Sequence, residues 1–458
     1  MEKEKKAHVL KMNAIFLSAL LLISMLVVVD LDVIGMRLNI LLLFILSLIY
    51  ICYEMVSIRN AGSFPLRPQQ LVDLVVLVLL GWNLLSMIGK LFQDLTLGVI
   101  DYQFEVTCIV FSLLYFLFKE NDELDDWYFD LIINSGLLVI ISMLFCYLYD
   151  MQMMGIMSEI MNDSGKCASY LLLPCTVCIF RYNTCRDQRS SLFYLLTATL
   201  GFFTLLINHN IISLWLMAIV FFTIPVLMKP TAEFVKRDMQ LCFIFFFMMS
   251  NMGVLTNYTQ LIQKELYISL EQSIYIDLLI AVGGVFFYLY WSQIPEGVDR
   301  DKLVMKKMRR GFASVLLMMG IIFLSFVTGG DNWKELPDTK GTSMVKSFAI
   351  PLVDEIKNNK SAWIYCIEKS SIGIFIILIL IALLTGRIIK NYNHDKPLTG
   401  SFLIISLMIF VETFFYVPSN NILPIYLLIL VMISFYKEDR QQVRARNKNY
   451  QMEMTDKL

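Results

Sequence analysis

Apolar segments of about twenty residues recur along almost the whole 458-residue chain, separated by short polar connections. An α-helix needs about twenty apolar residues to cross the hydrocarbon core of a bilayer. We place such segments near residues 12–29, 38–58, 69–89, 98–118, 128–149, 165–181, 190–207, 210–228, 238–256, 271–292, 311–329, 370–386, 399–417 and 421–436. Because the runs are continuously apolar and do not alternate, they exclude a membrane β-barrel. The sequence therefore predicts an all-α, polytopic integral membrane bundle of about 14 transmembrane helices (12–14) in one domain, residues 1–458.

Lysine and arginine fall mostly on one side of these segments. If the N-terminus is cytoplasmic, 28 of the 38 Lys and Arg residues lie in cytoplasmic connections. Cytoplasmic segments of membrane proteins carry this excess of positive residues, so we expect both termini, including the polar tail 437–458, in the cytoplasm. The first segment is too long for a signal-peptide core and has no small-residue cleavage site, so we interpret it as a retained span. The predicted location is a bacterial inner (plasma) membrane.

The composition excludes an ordinary soluble domain, since 57% of the residues are hydrophobic and only 17% are charged. Most of the nine cysteines lie inside the apolar segments. Cys175 and Cys178 have the spacing of a metal or redox pair, but no partner ligands accompany them in their apolar helix, and we interpret them as buried thiols. The sequence predicts no cofactor, no metal and no nucleic-acid partner.

Residues 330–369 form the long extracytoplasmic loop of this topology and carry six lysines and no arginine. Apolar residues recur there at helical spacing, namely Val345, Phe348, Ala349, Leu352, Val353 and Ile356. Lys346, Asp354, Lys357 and Lys360 take the opposite face. The pattern predicts an amphipathic helix, kinked or broken at Pro351. Such a helix lies on the outer membrane face as a cover, or caps a cavity between the spans as a lid.

Ionisable residues inside membrane spans are costly and indicate function. Those that the topology places toward the extracytoplasmic side are Asp101, Glu105, Asp277 and Glu412, together with His209 in the turn 208–210. Asp101 and Glu105 are four residues apart and share one helix face. We expect these side chains to line a polar cavity that is open to the outside. The alternative is that each carboxylate reaches the interface or water by itself.

Three stretches, in this order, resemble a family of membrane glycosyltransferases. Residues 162–171 (NDSGKCASYL), with a proline three residues later, look like a segment in which Asn, a small residue and Gly lead into an Ala-x-Tyr-Leu helix. The turn 208–210 (NHN) before 214–218 (LWLMA) is similar to a Ser-Arg-Gly turn before an apolar span, and 362–368 (AWIYCIE) resembles the end of a large outer loop. This family comprises the O-antigen ligases and the O-antigen or capsule polymerases.

The resemblance implies a donor glycan linked to polyprenyl pyrophosphate, an arginine clamp on the pyrophosphate, and a basic group that helps the acceptor hydroxyl attack the anomeric carbon. This chain has His209 where the family has Arg, no Arg in 330–369, and Ser361 or Ala362 where the family has His. Lysine replaces arginine at a phosphate only as a point charge. The predicted catalytic residues are His209, as base or phosphate contact, and the ionisable residues of the spans, Asp101, Glu105, Glu412 and Asp277. The implied substrate-binding residues are Lys334, Lys340, Lys346, Lys357, Lys360 and Glu368.

Two other functions remain open from the sequence. A flippase-type transporter of lipid-linked oligosaccharide fits the number of spans, although it predicts internal symmetry and polar groups near the membrane midplane. A non-catalytic relative of the polymerases and ligases fits the absent arginines. In each case the expected partners are membrane lipid and a polyprenyl-pyrophosphate-linked glycan.

Overall fold

The chain is described by a computed structural model that covers residues 16, 19, 32–33, 36–61, 70–97, 103–118, 126–153, 164–185, 187–207, 211–227, 232–259, 270–292, 298–330, 332–337, 339–358, 361–369, 372–391, 397–415, 427 and 430. Over these residues the chain is almost entirely helical, as expected for the all-α class. The exception is one minimal antiparallel pair, β1 (Asp32–Val33) with β2 (Met36–Arg37).

Fifteen helices follow one another in the described residues. The first eight are α1 (Leu38–Ala61), α2 (Leu71–Leu97), α3 (Gln103–Phe118), α4 (Asp126–Met153), α5 (Ser164–Thr184), α6 (Gln188–Ile207), α7 (Ile211–Leu227) and α8 (Ala232–Thr259). The remaining seven are α9 (Leu270–Ser292), α10 (Val298–Gly329), α11 (Asn332–Glu335), α12 (Lys340–Asn358), α13 (Ala362–Lys369), α14 (Ile372–Asn391) and α15 (Pro397–Glu412). The long loop therefore contains α11, α12 and α13, and Gly330, at a φ of 50°, ends α10.

Four stretches of these helices are long and apolar enough to cross a membrane, namely Leu71–Lys90, Gln188–Ile207, Lys306–Gly329 and Ile372–Lys390. Several shorter apolar helices accompany them. These are features of a membrane protein, and the number of fourteen spans and their sidedness stay predictions. The first and last predicted spans, 12–29 and 421–436, lie outside the described residues apart from four isolated positions, as does the tail 437–458.

Two helices occupy the centre of the bundle. Helix α5 packs against α4, α6, α7, α8 and α15, and α7 packs against α5, α6, α8, α10, α12 and α15. Every residue from 171 to 180 of α5 is buried, as expected of a helix that is apolar on all sides. Helices α9 and α10 lie at the periphery and expose large apolar side chains such as Leu279, Phe286 and Leu317. Such exposed apolar faces suit contact with lipid chains.

Two glycines let α4, α5 and α6 approach closely. A Cβ on Gly136 of α4 would lie 2.3 Å from the Pro174 ring of α5, and a Cβ on Gly201 of α6 would lie 2.5 Å from Cys175 Sγ. Small residues at helix contacts allow this kind of close packing in membrane bundles.

We expect Gly136→Ala to lower the free energy of unfolding by about 1–3 kcal/mol, because the added methyl group overlaps the rigid Pro174 ring. Gly81→Ala is the matched control, since nothing lies within 4 Å of a Cβ at that position of α2. Thermal unfolding of both variants in the same detergent measures the difference. Equal melting temperatures for the two variants would contradict the close α4–α5 contact.

Candidate functional site: an apolar groove beneath the loop helix

A groove of about 400 Å³ lies between α7, α8 and α10 and is bordered by one residue of α12. One face of α7 forms a wall of the groove, because its lining residues recur at intervals of three and four. On α7 these are Ile211, Leu214, Trp215, Ala218 and Phe222. On α10 they are Val315, Met319, Ile322 and Phe326, with the same spacing. All the residues that line the groove are apolar, so the groove suits a hydrocarbon ligand.

Aromatic rings close the wall between α7 and α10. The Trp215 ring packs edge-to-face against Phe323 and Phe326, with centroids 5.9 and 6.1 Å apart. Phe326 in turn packs edge-to-face against Trp333 of α11, whose indole N–H donates to the Phe326 carbonyl over 3.2 Å. Gly329 lies beneath that indole, where a Cβ would be 2.3 Å from Trp333 Nε1. The last turn of α10 is thereby fixed to the start of the long loop.

Helix α12 lies over one end of the groove and packs against both α7 and α10. Its own residues Ala349 and Leu352 are fully buried, and its Val345 borders the groove. Pro351 lies inside the helix, which continues from Lys340 to Asn358. The charge topology predicts that this end of the groove is extracytoplasmic, since α7 begins there and α10 ends there.

Glu355 of α12 holds the N-terminus of α7. Its Oε2 accepts hydrogen bonds from the backbone N–H groups of Ile211 and Ile212, at 2.9 and 3.4 Å. The first N–H groups of a helix have no partner inside the helix, and the helix dipole favours a negative charge there. Glu355 therefore attaches α12 to the mouth of the groove. Sequence reasoning missed this residue, because it lies 144 positions from its partner and only its place on an amphipathic loop helix distinguishes it.

Two of the predicted substrate-binding lysines bind other parts of the long loop. Lys334 Nζ lies 2.9 Å from Asp354 Oδ1, and Lys346 Nζ donates to the Leu336 carbonyl. Both contacts attach the segment around α11 to α12. Lys357 and Glu368 are exposed near the ends of α12 and α13. Lys340 is the first residue of α12, and Lys360 lies outside the described residues.

Of the predicted catalytic residues, Glu105, Asp277 and Glu412 fall in the described part of the chain, and each lies in a different set of contacts. Glu105 is buried in the first turn of α3, where its Oε1 accepts from Lys90 Nζ (2.8 Å) and Ser86 Oγ (3.0 Å) of α2. Glu412 is buried at the end of α15.

Asp277 of α9 accepts hydrogen bonds from α8. Asn251 Nδ2 lies 3.1 and 3.0 Å from its two carboxylate oxygens, and Ser250 Oγ donates to Oδ1 as well. Asp101 and His209 lie outside the described residues. None of the described carboxylates lines the apolar groove.

Helix α13 links the surroundings of Glu412 to those of Glu105, at the end of the bundle that the charge topology predicts to be extracytoplasmic. The Ala362 N–H donates to the Thr413 carbonyl at 3.0 Å, directly after Glu412. Ala362 and Cys366 also form a small apolar cluster with Ile374, against which Phe104, next to Glu105, packs. Burial raises the pKa of the Cys366 thiol and keeps it protonated. In the described ranges no group of three or more His, Cys, Asp or Glu side chains is arranged to hold a metal ion.

Comparison of the chain with protein-family models, with curated proteins and with solved structures finds no match.

Proposed function

We propose that this protein joins glycan from a polyprenyl-pyrophosphate-linked donor to a lipid-linked or lipid acceptor at the outer face of a bacterial inner membrane. The observation that carries this proposal is the apolar groove between α7 and α10 with an amphipathic loop helix over its mouth. The proposal includes the topology of about fourteen spans with both termini cytoplasmic, as the charge pattern predicts.

A polyprenyl chain offers only apolar surface, and the groove offers only apolar side chains in return. Its volume falls in the range of about 300–1,000 Å³ that is usual for small-molecule sites. Each buried methylene contributes about 0.8 kcal/mol, so a few isoprene units are enough to hold the lipid in place. The polyprenyl lipid would lie with its tail near the middle of α7 and its pyrophosphate head at the N-terminus of α7.

The head of such a donor would emerge beneath α12. In the reaction, an acceptor hydroxyl oxygen attacks the anomeric carbon, the bond from that carbon to the pyrophosphate oxygen breaks, and the hydroxyl proton passes to a base. His209, two residues before the start of α7 in the sequence, is our proposed base or phosphate contact. Among the loop lysines, Lys340, Lys357 and Lys360 are the proposed source of positive charge near the pyrophosphate. Asp101, Glu105, Asp277 and Glu412 are the proposed acidic residues.

Filling the groove tests the proposal. We expect Ala218→Trp to abolish the surface glycan of cells that depend on this protein, because the indole occupies the space for the lipid chain. Ala313→Trp on the exposed side of α10 is the matched control and should leave the glycan unchanged. Glycan length on gels and photo-crosslinking to a polyprenyl pyrophosphate probe are the measurements. Wild-type glycan in Ala218→Trp cells at normal protein level would refute the groove as the donor site.

One observation favours the alternatives, a flippase-type transporter or a non-catalytic relative. Lys334 and Lys346 bind Asp354 and a backbone carbonyl, which removes two of the proposed phosphate contacts. Cells without the protein distinguish these functions. Under our proposal, unpolymerised or untransferred lipid-linked glycan accumulates in the outer leaflet, whereas loss of a flippase traps it in the inner leaflet.

A further inference from the structure

The last turn of α5 meets the first turns of α8 at the end of the bundle that the charge topology predicts to be cytoplasmic. There the Asn183 side-chain amide donates from Nδ2 to Asp238 Oδ1 over 3.0 Å. Asp238 is completely buried, and Asn183 retains only 6% of its exposed surface. The contact joins two helices that pack along one another, so its chemistry affects the core and not the surface.

Each of these two side chains has a second buried oxygen. Asp238 Oδ2 and Asn183 Oδ1 have no hydrogen-bond partner in the described part of the chain. An ionised carboxylate and an amide oxygen can only accept, so neither can satisfy the other. Two buried acceptors without donors are costly, and such groups are rare in native proteins. Both oxygens belong to the planar groups that already share the 3.0 Å hydrogen bond.

The surroundings offer Asp238 no described cation. The neighbouring Arg237 donates instead to the carbonyls of Tyr182 and Cys185 at the end of α5, and its Nε lies 3.2 Å from Glu233. The other titratable groups near this contact have hydrogen-bond or ion-pair partners of their own, or are buried thiols. Tyr182 Oη donates to Gln240, Arg181 pairs with Asp130, and Cys242 is a buried thiol one turn further along α8. A buried carboxylate without a counter-charge is strongly disfavoured.

We infer that Asp238 is a proton-binding site that stays neutral at neutral pH and forms a cyclic acid–amide pair with Asn183. One proton on Asp238 Oδ2 turns that oxygen into a donor to Asn183 Oδ1. The single proton thus satisfies both buried oxygens and removes the charge. Without the proton, Asp238 Oδ2 and Asn183 Oδ1 would be two acceptor oxygens that face each other across the α5–α8 contact and repel. We therefore expect α5 and α8 to separate at this end when Asp238 ionises.

Infrared spectroscopy of the full-length protein in detergent tests this inference. At neutral pH the wild-type protein should show the C=O band of a protonated carboxyl group, and uniform ¹³C labelling of aspartate should shift it. Asp238→Asn should remove that band while keeping the wild-type melting temperature, because two amides close the same ring. Asn183→Ala should move the band to the frequency of a less hydrogen-bonded acid.

The inference is overturned if the difference between wild type and Asp238→Asn contains carboxylate bands in place of the acid band. An acid band that does not respond to ¹³C-aspartate overturns it without any variant, since that band would belong to glutamate. An acid band that responds to ¹³C-aspartate but not to Asn183→Ala also overturns it, because the protonated group would then not be paired with Asn183.

Discussion

Replacing Lys90 by Met is expected to lower the free energy of unfolding by about 3 kcal/mol, because the change leaves the buried Glu105 carboxylate without its positive partner. Glu105 is almost completely buried and holds Lys90 at 2.8 Å, and its second oxygen has no described partner. After the change, the Ser86 hydroxyl is the remaining described donor. Chemical unfolding in mixed detergent micelles is the measurement.

The companion variants separate charge from packing. Glu105→Gln alone should cost less than Lys90→Met, because Lys90 retains 30% of its side-chain exposure and can turn its ammonium group toward water. The double variant Lys90→Met, Glu105→Gln should be more stable than the sum of the two losses predicts, since it leaves no unpaired charge. Strict additivity would show that the two groups do not interact, and wild-type stability of Lys90→Met would show that this ion pair does not stabilise the fold.

The sequence predicts the helical class and several helix positions well, because hydropathy is a local property. The predicted span 190–207 corresponds to the apolar helix Gln188–Ile207, and 69–89 corresponds to Leu71–Lys90. The start of α10 is the instructive difference. The predicted spans 271–292 and 311–329 leave the basic residues between 300 and 310 in a connection, yet the chain is helical from Val298 onward. Lysine and arginine are good helix formers, and hydropathy does not register a polar extension of a span.

The candidate site is harder to predict, because depth along a span does not give the direction in which a side chain points. Asp277 and Glu105 are at similar predicted depth, but Asp277 faces Ser250 and Asn251 on α8 whereas Glu105 faces Lys90 on α2. The position of the groove is hard to predict for the same reason. Apolar residues at intervals of three and four on α7 predict a buried face, and only the arrangement of α8, α10 and α12 leaves part of that face uncovered by protein.

Removing the Glu355 carboxylate is expected to have the largest effect on function among single changes in the long loop. In Glu355→Ala the N–H groups of Ile211 and Ile212 lose their acceptor, and α12 loses its hydrogen bonds to α7. The loss of a helix cap costs about 1–2 kcal/mol. Because this energy acts on the contact between α12 and α7, we expect the loop helix to detach locally while the bundle stays folded.

Two further contacts determine how far α12 detaches. The apolar residues Ala349 and Leu352 still hold it to the bundle, and Lys334 still pairs with Asp354 on its exposed side. We therefore expect α12 to gain mobility over the groove without unfolding. Hydrogen–deuterium exchange should rise over 340–358 and at the first residues of α7, and stay unchanged in α4 to α6.

Glu355→Gln is the matched control, because the amide oxygen still accepts from α7 while the charge is lost. If Glu355 acts as a cap, Gln should retain most of the surface glycan and Ala should lose it. The alternative, under the proposed function, is that the donor pyrophosphate must take the position of Glu355 and is repelled by its negative charge. In that case Glu355→Gln should increase binding of a polyprenyl pyrophosphate probe. Equal exchange and equal glycan for wild type and Glu355→Ala would show that α12 is held over the groove by its apolar face alone.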